Sequence, residues 1–309
     1  MNISLNIQKT LELKRTKLIK HILAKQDRLG RWGYDIQKAK KKPQYKHYLP
    51  KYKSTLWTLI TLADLKCDPK DKRAKKALKI ILKDMYKKEY GLFGWSENAY
   101  GAHEPSPCLH GNILYIHFYF GGKMTKKIEN VIKFFEKYQR FDDGDFKTPE
   151  KFPYAGRTDR CFGKHTCYWG VTKLLKGLSF IPLSERTKDS HRLMRKSIGF
   201  IFDHEVCYSS KKKSRFLHSL ISRLTFPNMY QSDFLEILWL LTREGKKDKS
   251  MNKAIRLLKS KQLKNGTWKL ERPISNLLVT IGKKQRPNEF VTERTEEVLD
   301  FWDKTAGSY

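Results

Sequence analysis

The chain has 309 residues, 64 of them Lys or Arg and 32 Asp or Glu, so its formal net charge is +32. Aromatic residues make up 13%, a density that disordered chains lack, and no stretch reaches the roughly 18 consecutive apolar residues of a membrane span. Residues 1–25 mix charges into every turn and contain no apolar signal-peptide core. We therefore expect a folded cytoplasmic protein.

The positive charge raises the question of a nucleic-acid partner, because Lys and Arg neutralise phosphates. The lysine clusters, however, lie in the segment 38–42 and on the polar faces of amphipathic helices, as at 75–76 and 126–127. No zinc-finger spacing, RNP-type motif or glycine-rich phosphate loop accompanies them. We expect no specific nucleic-acid recognition, and a weak association with anionic membrane surfaces.

Helical periodicity dominates the sequence. Nearly uncharged segments, which should be buried on most sides, alternate with amphipathic segments that have one apolar stripe and one Lys-rich face. Such a pair predicts the inner and outer helix of an α/α array. The predicted helices span 8–25, 54–66, 71–88, 108–120, 125–138, 166–180, 188–204, 231–243, 248–261 and 291–303.

A turn of similar sequence follows several amphipathic helices. Residues 26–32 and 262–268 both read Gln-x-x-x-Gly-x-Trp, and related turns occur at 91–95 and 139–146. Glycine permits a positive φ at a tight exit, the Gln amide can cap backbone groups, and the Trp ring can fill the seam between helix pairs. This self-similarity indicates a stacked array of repeats.

The order of the helices predicts that the array closes into a ring. Four inner and outer pairs run in sequence, and the two remaining helices, 8–25 and 291–303, can pair with each other. The sequence therefore predicts an all-α fold, an α/α toroid that is a closed barrel of five to six inner and outer helix hairpins. The toroid forms a single domain over residues 1–309, with a basic linker at 33–53.

The Gln-x-x-x-Gly-x-Trp turns resemble the QW repeats of squalene–hopene-type terpenoid cyclases, whose toroid is shared by protein prenyltransferase β subunits. Segments 107–112 and 166–171 are similar to a prokaryotic branch of short, single-toroid proteins without an assigned reaction. The resemblance implies a hydrophobic or anionic, isoprenoid-like substrate in a central cavity. The Asp-x-Asp-Asp and Asp-Asp-x-x-Asp motifs of cyclases are absent from the sequence.

Protein prenyltransferases bind catalytic zinc through Asp-x-Cys and a distant His, and Asp159-Arg160-Cys161 has that local spacing. Cys161, His165 and Cys167 fall within seven residues, and soft ligands of this kind suit zinc. The alternatives are a thiol nucleophile and inert packing of small buried cysteines. The zinc ligands expected here are Asp159, Cys161, His165 and Cys167.

In the predicted toroid the inner helices begin at one rim of the cavity. Unpaired N–H groups and partial positive charge at these N-termini favour thiolates and anionic ligands. The candidate catalytic residues are Cys108, His110, His165, Cys167 and Asp233, although Asp233 is equally suited to capping a helix. The candidate substrate-binding residues are Trp57, Asn112, Tyr115, Trp169, Tyr230 and Arg294, whose aromatic members are also typical core residues.

Two classes of function follow from these features. The first is an enzyme whose rim Cys, His and Asp side chains act as acid, base or zinc ligands. The second is a non-catalytic toroid that binds a lipid, a peptide or a protein partner. A toroidal polysaccharide lyase is a third possibility, against which the QW-type turns argue.

Overall fold

The structure is a computed structural model that describes residues 5–42, 45–94, 105–144, 161–162 and 165–304. Within these ranges it is mostly helical, which confirms the predicted all-α class. None of the described helices combines the length and apolar character needed to cross a membrane. The described helices are α1 Leu5–Ala24, α2 Ile36–Lys41, α3 Thr55–Asp64, α4 Lys72–Asp84, α5 Pro107–Tyr119, α6 Lys126–Tyr138, α7 Tyr168–Ser179, α8 Lys188–Asp203, α9 Phe234–Arg243, α10 Asn252–Ser260 and α11 Glu289–Lys304.

Each of the ten predicted helices is found, with ends that differ from the prediction by a few residues. Helix α2 was not predicted, and it lies inside the segment 33–53, which we expected to be a linker. Its six residues are too few to show a helical period, and it starts because the Asp35 carboxylate accepts hydrogen bonds from the N–H groups of Gln37 and Lys38.

Strands are short in the described residues. β1 (Tyr86–Lys87) pairs with β2 (Leu92–Phe93), and β3 (Lys269–Leu270) pairs with β4 (Arg286–Pro287), both antiparallel. They close local loops and add no layer to the helical core.

The chain divides into two compact units, a central unit of residues 23–197 and a terminal unit of residues 1–22 and 198–309. In the central unit all ten residues of α3 are buried, and α5 and α7 are buried along nearly their whole length. Helices α4 and α6 bury only one stripe each. In the terminal unit α9 is buried and α10 is amphipathic. The predicted alternation of buried and amphipathic helices is therefore present within each unit.

The two Gln-x-x-x-Gly-x-Trp turns, 26–32 in the central unit and 262–268 in the terminal unit, have the same local structure. In each turn the Gln amide donates to the Gly carbonyl oxygen at 3.1 Å, and the Gly φ is positive, +90° in the first and +83° in the second. The Trp backbone N–H donates to a threonine hydroxyl of a later helix, Thr55 of α3 at 3.2 Å in the first turn and Thr292 of α11 at 3.0 Å in the second. The turn is thus a structural repeat.

In the terminal unit, the first and last helices are held together by ion pairs. Arg15 of α1, itself buried, pairs with Glu293 of α11 at 2.7 Å, and Lys14 pairs with Glu289 at 2.6 Å. Side chains of the two helices at the ends of the sequence, which we expected to pair, are therefore in contact.

Candidate functional site

Glycines bring α5 and α7 of the central unit into close contact. A Cβ atom on Gly170 would lie 2.4 Å from Pro107, and one on Gly111 would lie 2.1 Å from the carbonyl oxygen of Lys173. A Cβ atom on Gly177 would lie 2.6 Å from the carbonyl oxygen of Gly111. Because the contacting positions rise together along both helices, α5 and α7 run parallel and their N-termini lie side by side.

This arrangement gathers three thiols at the paired N-termini. Cys108 is the second residue of α5, and Cys167 is the N-cap residue of α7. Cys161, from the segment before α7, interacts through hydrogen bonds with the thiols of both. The hydroxyl oxygen of Ser106, the N-cap residue of α5, lies 3.5 Å from the Cys161 sulfur. We call Cys108, Cys161 and Cys167 the thiol cluster; all three are half-buried.

Hydrogen bonding gives the three cysteines of the thiol cluster different pKa values. Donation from Cys108 and Cys167 stabilises the Cys161 thiolate and holds the pKa of Cys161 well below the usual range, against the opposing effect of burial. The same hydrogen bonds, together with burial, raise the pKa of Cys108 and of Cys167. Hydrogen bonding therefore favours a thiolate at Cys161 over one at Cys108 or Cys167.

Positive charge next to the thiol cluster favours a thiolate there. The Lys173 side chain of α7 is completely buried, and its ammonium partly opposes the rise in the pKa of Cys108 that hydrogen bonding and burial cause. The N-termini of α5 and α7 add partial positive charge at the same place. The sequence analysis did not select Lys173, although a lysine in the middle of a nearly uncharged helix is a signal that could have identified it.

His110, a predicted catalytic residue, bonds to backbone groups through both nitrogens of its ring. Its Nδ1 lies 2.9 Å from the carbonyl oxygen of Ser106, and its Nε2 accepts a hydrogen bond from the Phe93 N–H at 2.9 Å. This pattern fixes the neutral tautomer with the proton on Nδ1, and burial lowers the pKa of His110 to about 4. The ring joins α5 to β2, and both of its nitrogens already have backbone partners.

The residues expected to bind zinc do not come together as a set in the described part of the chain. His165 is exposed, and its Nδ1 lies 3.3 Å from the carbonyl oxygen of Asp143. Asp159 lies outside the described residues. Across the ranges that the structure describes, no group of three or more His, Cys, Asp or Glu side chains could hold a metal ion.

Asp233 lies in the terminal unit and caps α9. One carboxylate oxygen accepts the Glu236 N–H at 2.8 Å, and the other accepts the Thr225 N–H at 2.5 Å. Burial raises the pKa of Asp233 to about 6 despite these hydrogen bonds. Of the two roles that the sequence allowed, the structure shows the capping role.

Arg294 is also a buried residue of the terminal unit. Its guanidinium donates to the Asn228 side-chain oxygen at 2.7 Å and lies over the rings of Phe226 and Trp239, at 5.0 Å and 4.6 Å. Tyr230, another predicted substrate-binding residue, is half-buried. Arg294 is thus packed as a charged core residue between aromatic rings.

The remaining predicted substrate-binding residues belong to the inner helices of the central unit. Trp57 and Asn112 are buried, and the Trp57 ring N–H donates to the carbonyl oxygen of Tyr48 at 2.7 Å. Trp169, the second residue of α7, is half-buried. Only Trp169 is therefore both close in sequence to the thiol cluster and partly exposed.

Tyr115 belongs to a buried polar group that the sequence analysis missed. Its hydroxyl donates to the Asp64 carboxylate at 2.8 Å, and Lys176 pairs with the same oxygen at 2.9 Å. The side chains of Asp64 and Lys176 are completely buried, and the ammonium lies 4.1 Å from the centre of the Tyr115 ring. This group joins α3, α5 and α7.

No protein-family model matches this chain, and a search of curated proteins finds no significant match either.

Proposed function

We propose that the chain is an enzyme of the terpenoid-cyclase and prenyltransferase-like class, built as an α/α toroid of five to six helix hairpins. Cys161 acts in it as a nucleophilic thiolate on a hydrophobic or anionic, isoprenoid-like substrate. The observation that carries the proposal is the convergence of three thiols at the paired N-termini of α5 and α7.

Three features of the fold support the class. Buried and amphipathic helices alternate within each unit, and the buried helices α5 and α7 run parallel, as inner helices of a toroid do. The two turns at 26–32 and 262–268 have the same hydrogen bonds, as expected of a QW-type repeat. Helices α1 and α11 pair as a closed ring requires.

The site suits displacement of an anionic leaving group. The Cys161 sulfur attacks an electrophilic carbon, a sulfur–carbon bond forms, and the leaving group departs with the electron pair of its broken bond. Cys108 or Cys167 then supplies a proton to that group, because neither thiol still donates to a thiolate. The helix N-termini and Lys173 favour binding of the leaving anion.

Farnesyl diphosphate tests the proposal as a probe that combines an isoprenoid chain with an anionic leaving group. We expect it to slow labelling of Cys161 by iodoacetamide and to release up to one equivalent of inorganic diphosphate per protein, because the alkyl group stays on the Cys161 sulfur. Inorganic diphosphate alone should protect more weakly, and the Cys161→Ser variant should release none. Peptide mapping gives the labelling, and a coupled phosphate assay gives the release.

Two results would contradict the proposal. Unchanged labelling of Cys161 at saturating farnesyl diphosphate would exclude this substrate class. Protection without any diphosphate release would instead support the alternative, a non-catalytic toroid that binds a lipid, and would overturn the enzyme assignment.

A further inference from the structure

We propose that the central unit docks on membranes that contain anionic lipids, through a basic face that also exposes two large apolar side chains. The basic face consists of the exposed side chains of residues 25–42, which include α2, and of residues 70–76, which include the start of α4. Its occupant is the headgroup layer of a bilayer. The proposal concerns a surface and does not depend on the reaction at Cys161.

Hydrogen bonds join the two segments of the basic face into one surface. The Lys76 ammonium of α4 donates to the carbonyl oxygen of Arg28 at 2.8 Å, and its aliphatic chain lies so close to Gly30 that an added Cβ would meet it at 2.9 Å. The Gln26 side-chain amide donates to the carbonyl oxygen of Arg73 at 3.0 Å. The basic residues of the turn and those of α4 are therefore held next to each other.

Arg31 joins the start of α2 to the same surface. Its guanidinium pairs with Asp27 at 3.0 Å and lies 3.4 Å from the centre of the Tyr34 ring, one residue before the N-cap Asp35 of α2. The four lysines within residues 38–42 follow, and all of them are exposed. Helix α2 thus continues the basic face from the turn.

The basic face carries a large excess of positive charge. Residues 25–42 and 70–76 contain twelve Lys or Arg and three Asp. Asp27 forms an ion pair within the turn, Asp35 caps α2, and Asp71 caps α4. Because each carboxylate already bonds to a neighbouring group, the surface presents a net positive charge that anionic headgroups would neutralise.

Two exposed apolar side chains favour a bilayer over a nucleic acid as the occupant. Leu29 in the turn is 60% exposed, and Ile36 of α2 is 54% exposed. Single-stranded nucleic acids stack on exposed aromatic rings, but Trp32 is buried and Tyr34 is half-buried against Arg31. Aliphatic side chains among Lys and Arg are instead typical of proteins that bind in the membrane interface.

The test is sedimentation of the full-length protein with phosphatidylcholine vesicles, with and without about 30% phosphatidylserine, in about 0.1 M salt. The wild type should bind the anionic vesicles at least about tenfold more tightly than the neutral ones. A variant with Lys40→Gln, Lys41→Gln and Lys42→Gln should lose at least about tenfold of this binding, because each basic residue at an anionic surface strengthens binding about fivefold. The matched control removes three exposed lysines of the terminal unit and should lose less than about threefold; it carries Lys264→Gln, Lys283→Gln and Lys284→Gln.

A second pair of variants tests the apolar contact. Leu29→Ser should weaken binding to the anionic vesicles about tenfold, because the leucine side chain then no longer leaves water when the protein binds. Leu183, another leucine of the central unit, is 79% exposed and lies outside the basic face. Leu183→Ser is therefore the control, and it should change binding less than about twofold.

Absence of binding to the anionic vesicles would overturn the proposal. Equal weakening by the two triple variants would also overturn it, since net charge alone would then explain the binding, and so would unchanged binding of Leu29→Ser. Binding to an oligothymidylate that is tighter than binding to the vesicles, and is lost in the variant of residues 40–42, would replace the membrane by a nucleic acid. Failure of farnesyl diphosphate to protect Cys161 would leave these results unchanged, which keeps the two proposals distinguishable.

Discussion

Replacement of Lys176 by methionine is expected to lower the free energy of unfolding by about 3–5 kcal/mol. Lys176 and Asp64 form an ion pair of 2.9 Å in which both side chains are completely buried. Methionine keeps the volume of the aliphatic chain but leaves the Asp64 carboxylate inside the core without the ammonium. Urea unfolding followed by circular dichroism measures the loss.

Two further variants separate charge from packing at this position. In the double variant Asp64→Asn and Lys176→Met, the loss should be smaller than in Lys176→Met alone, because no buried charge remains. The exposed pair Lys196–Glu136, at 3.1 Å, is the matched control, and Lys196→Met should cost less than about 1 kcal/mol. Equal effects of Lys176→Met and Lys196→Met would show that the buried pair does not stabilise the fold.

Replacement of Gly111 by alanine should destabilise the protein by about 3 kcal/mol and disturb the thiol cluster. The new Cβ would lie 2.1 Å from the carbonyl oxygen of Lys173, so the backbones of α5 and α7 have to separate. Since the paired N-termini position Cys108 and Cys167 around Cys161, we also expect slower alkylation of Cys161. Urea unfolding and peptide mapping after iodoacetamide treatment measure the two effects.

Gly199 provides the matched control, because it is an exposed helical glycine with no atom within 4 Å of an added Cβ. Gly199→Ala should raise stability by roughly 0.5–1 kcal/mol, the usual gain when a helical glycine becomes alanine. If Gly111→Ala were as stable as Gly199→Ala, the close contact between α5 and α7 would not exist as described.

The helices could be predicted because their signal is local and periodic. The turns at 26–32 and 262–268 were predictable for the same reason, since Gln, Gly and Trp act within seven residues. Helix α2 was not predictable in this way, because six residues show no period and its start depends on the Asp35 cap.

The candidate site could be predicted only in part. The sequence placed Cys108 and Cys167 at helix starts and Cys161 nearby, and in the structure the Cys161 sulfur lies 3.5 Å from the hydroxyl of Ser106, the N-cap residue of α5. The sequence could not show that His110 has two backbone partners, because one of them, the Phe93 N–H, comes from a separate strand. It also missed Lys173, whose effect on Cys108 depends on how α5 packs against α7.

The most direct test of the thiolate at Cys161 is the pH dependence of its alkylation by iodoacetamide, read by peptide mapping. A group whose pKa is lowered in the folded protein stays ionised as the pH falls below the usual thiol range, so the rate at Cys161 should change little between about pH 8 and pH 5. Cys67 and Cys207 serve as internal controls, because burial raises the pKa of both and they should stay unlabelled. A Cys161 rate that falls about tenfold for each pH unit below about 8 would show an ordinary thiol and contradict the account.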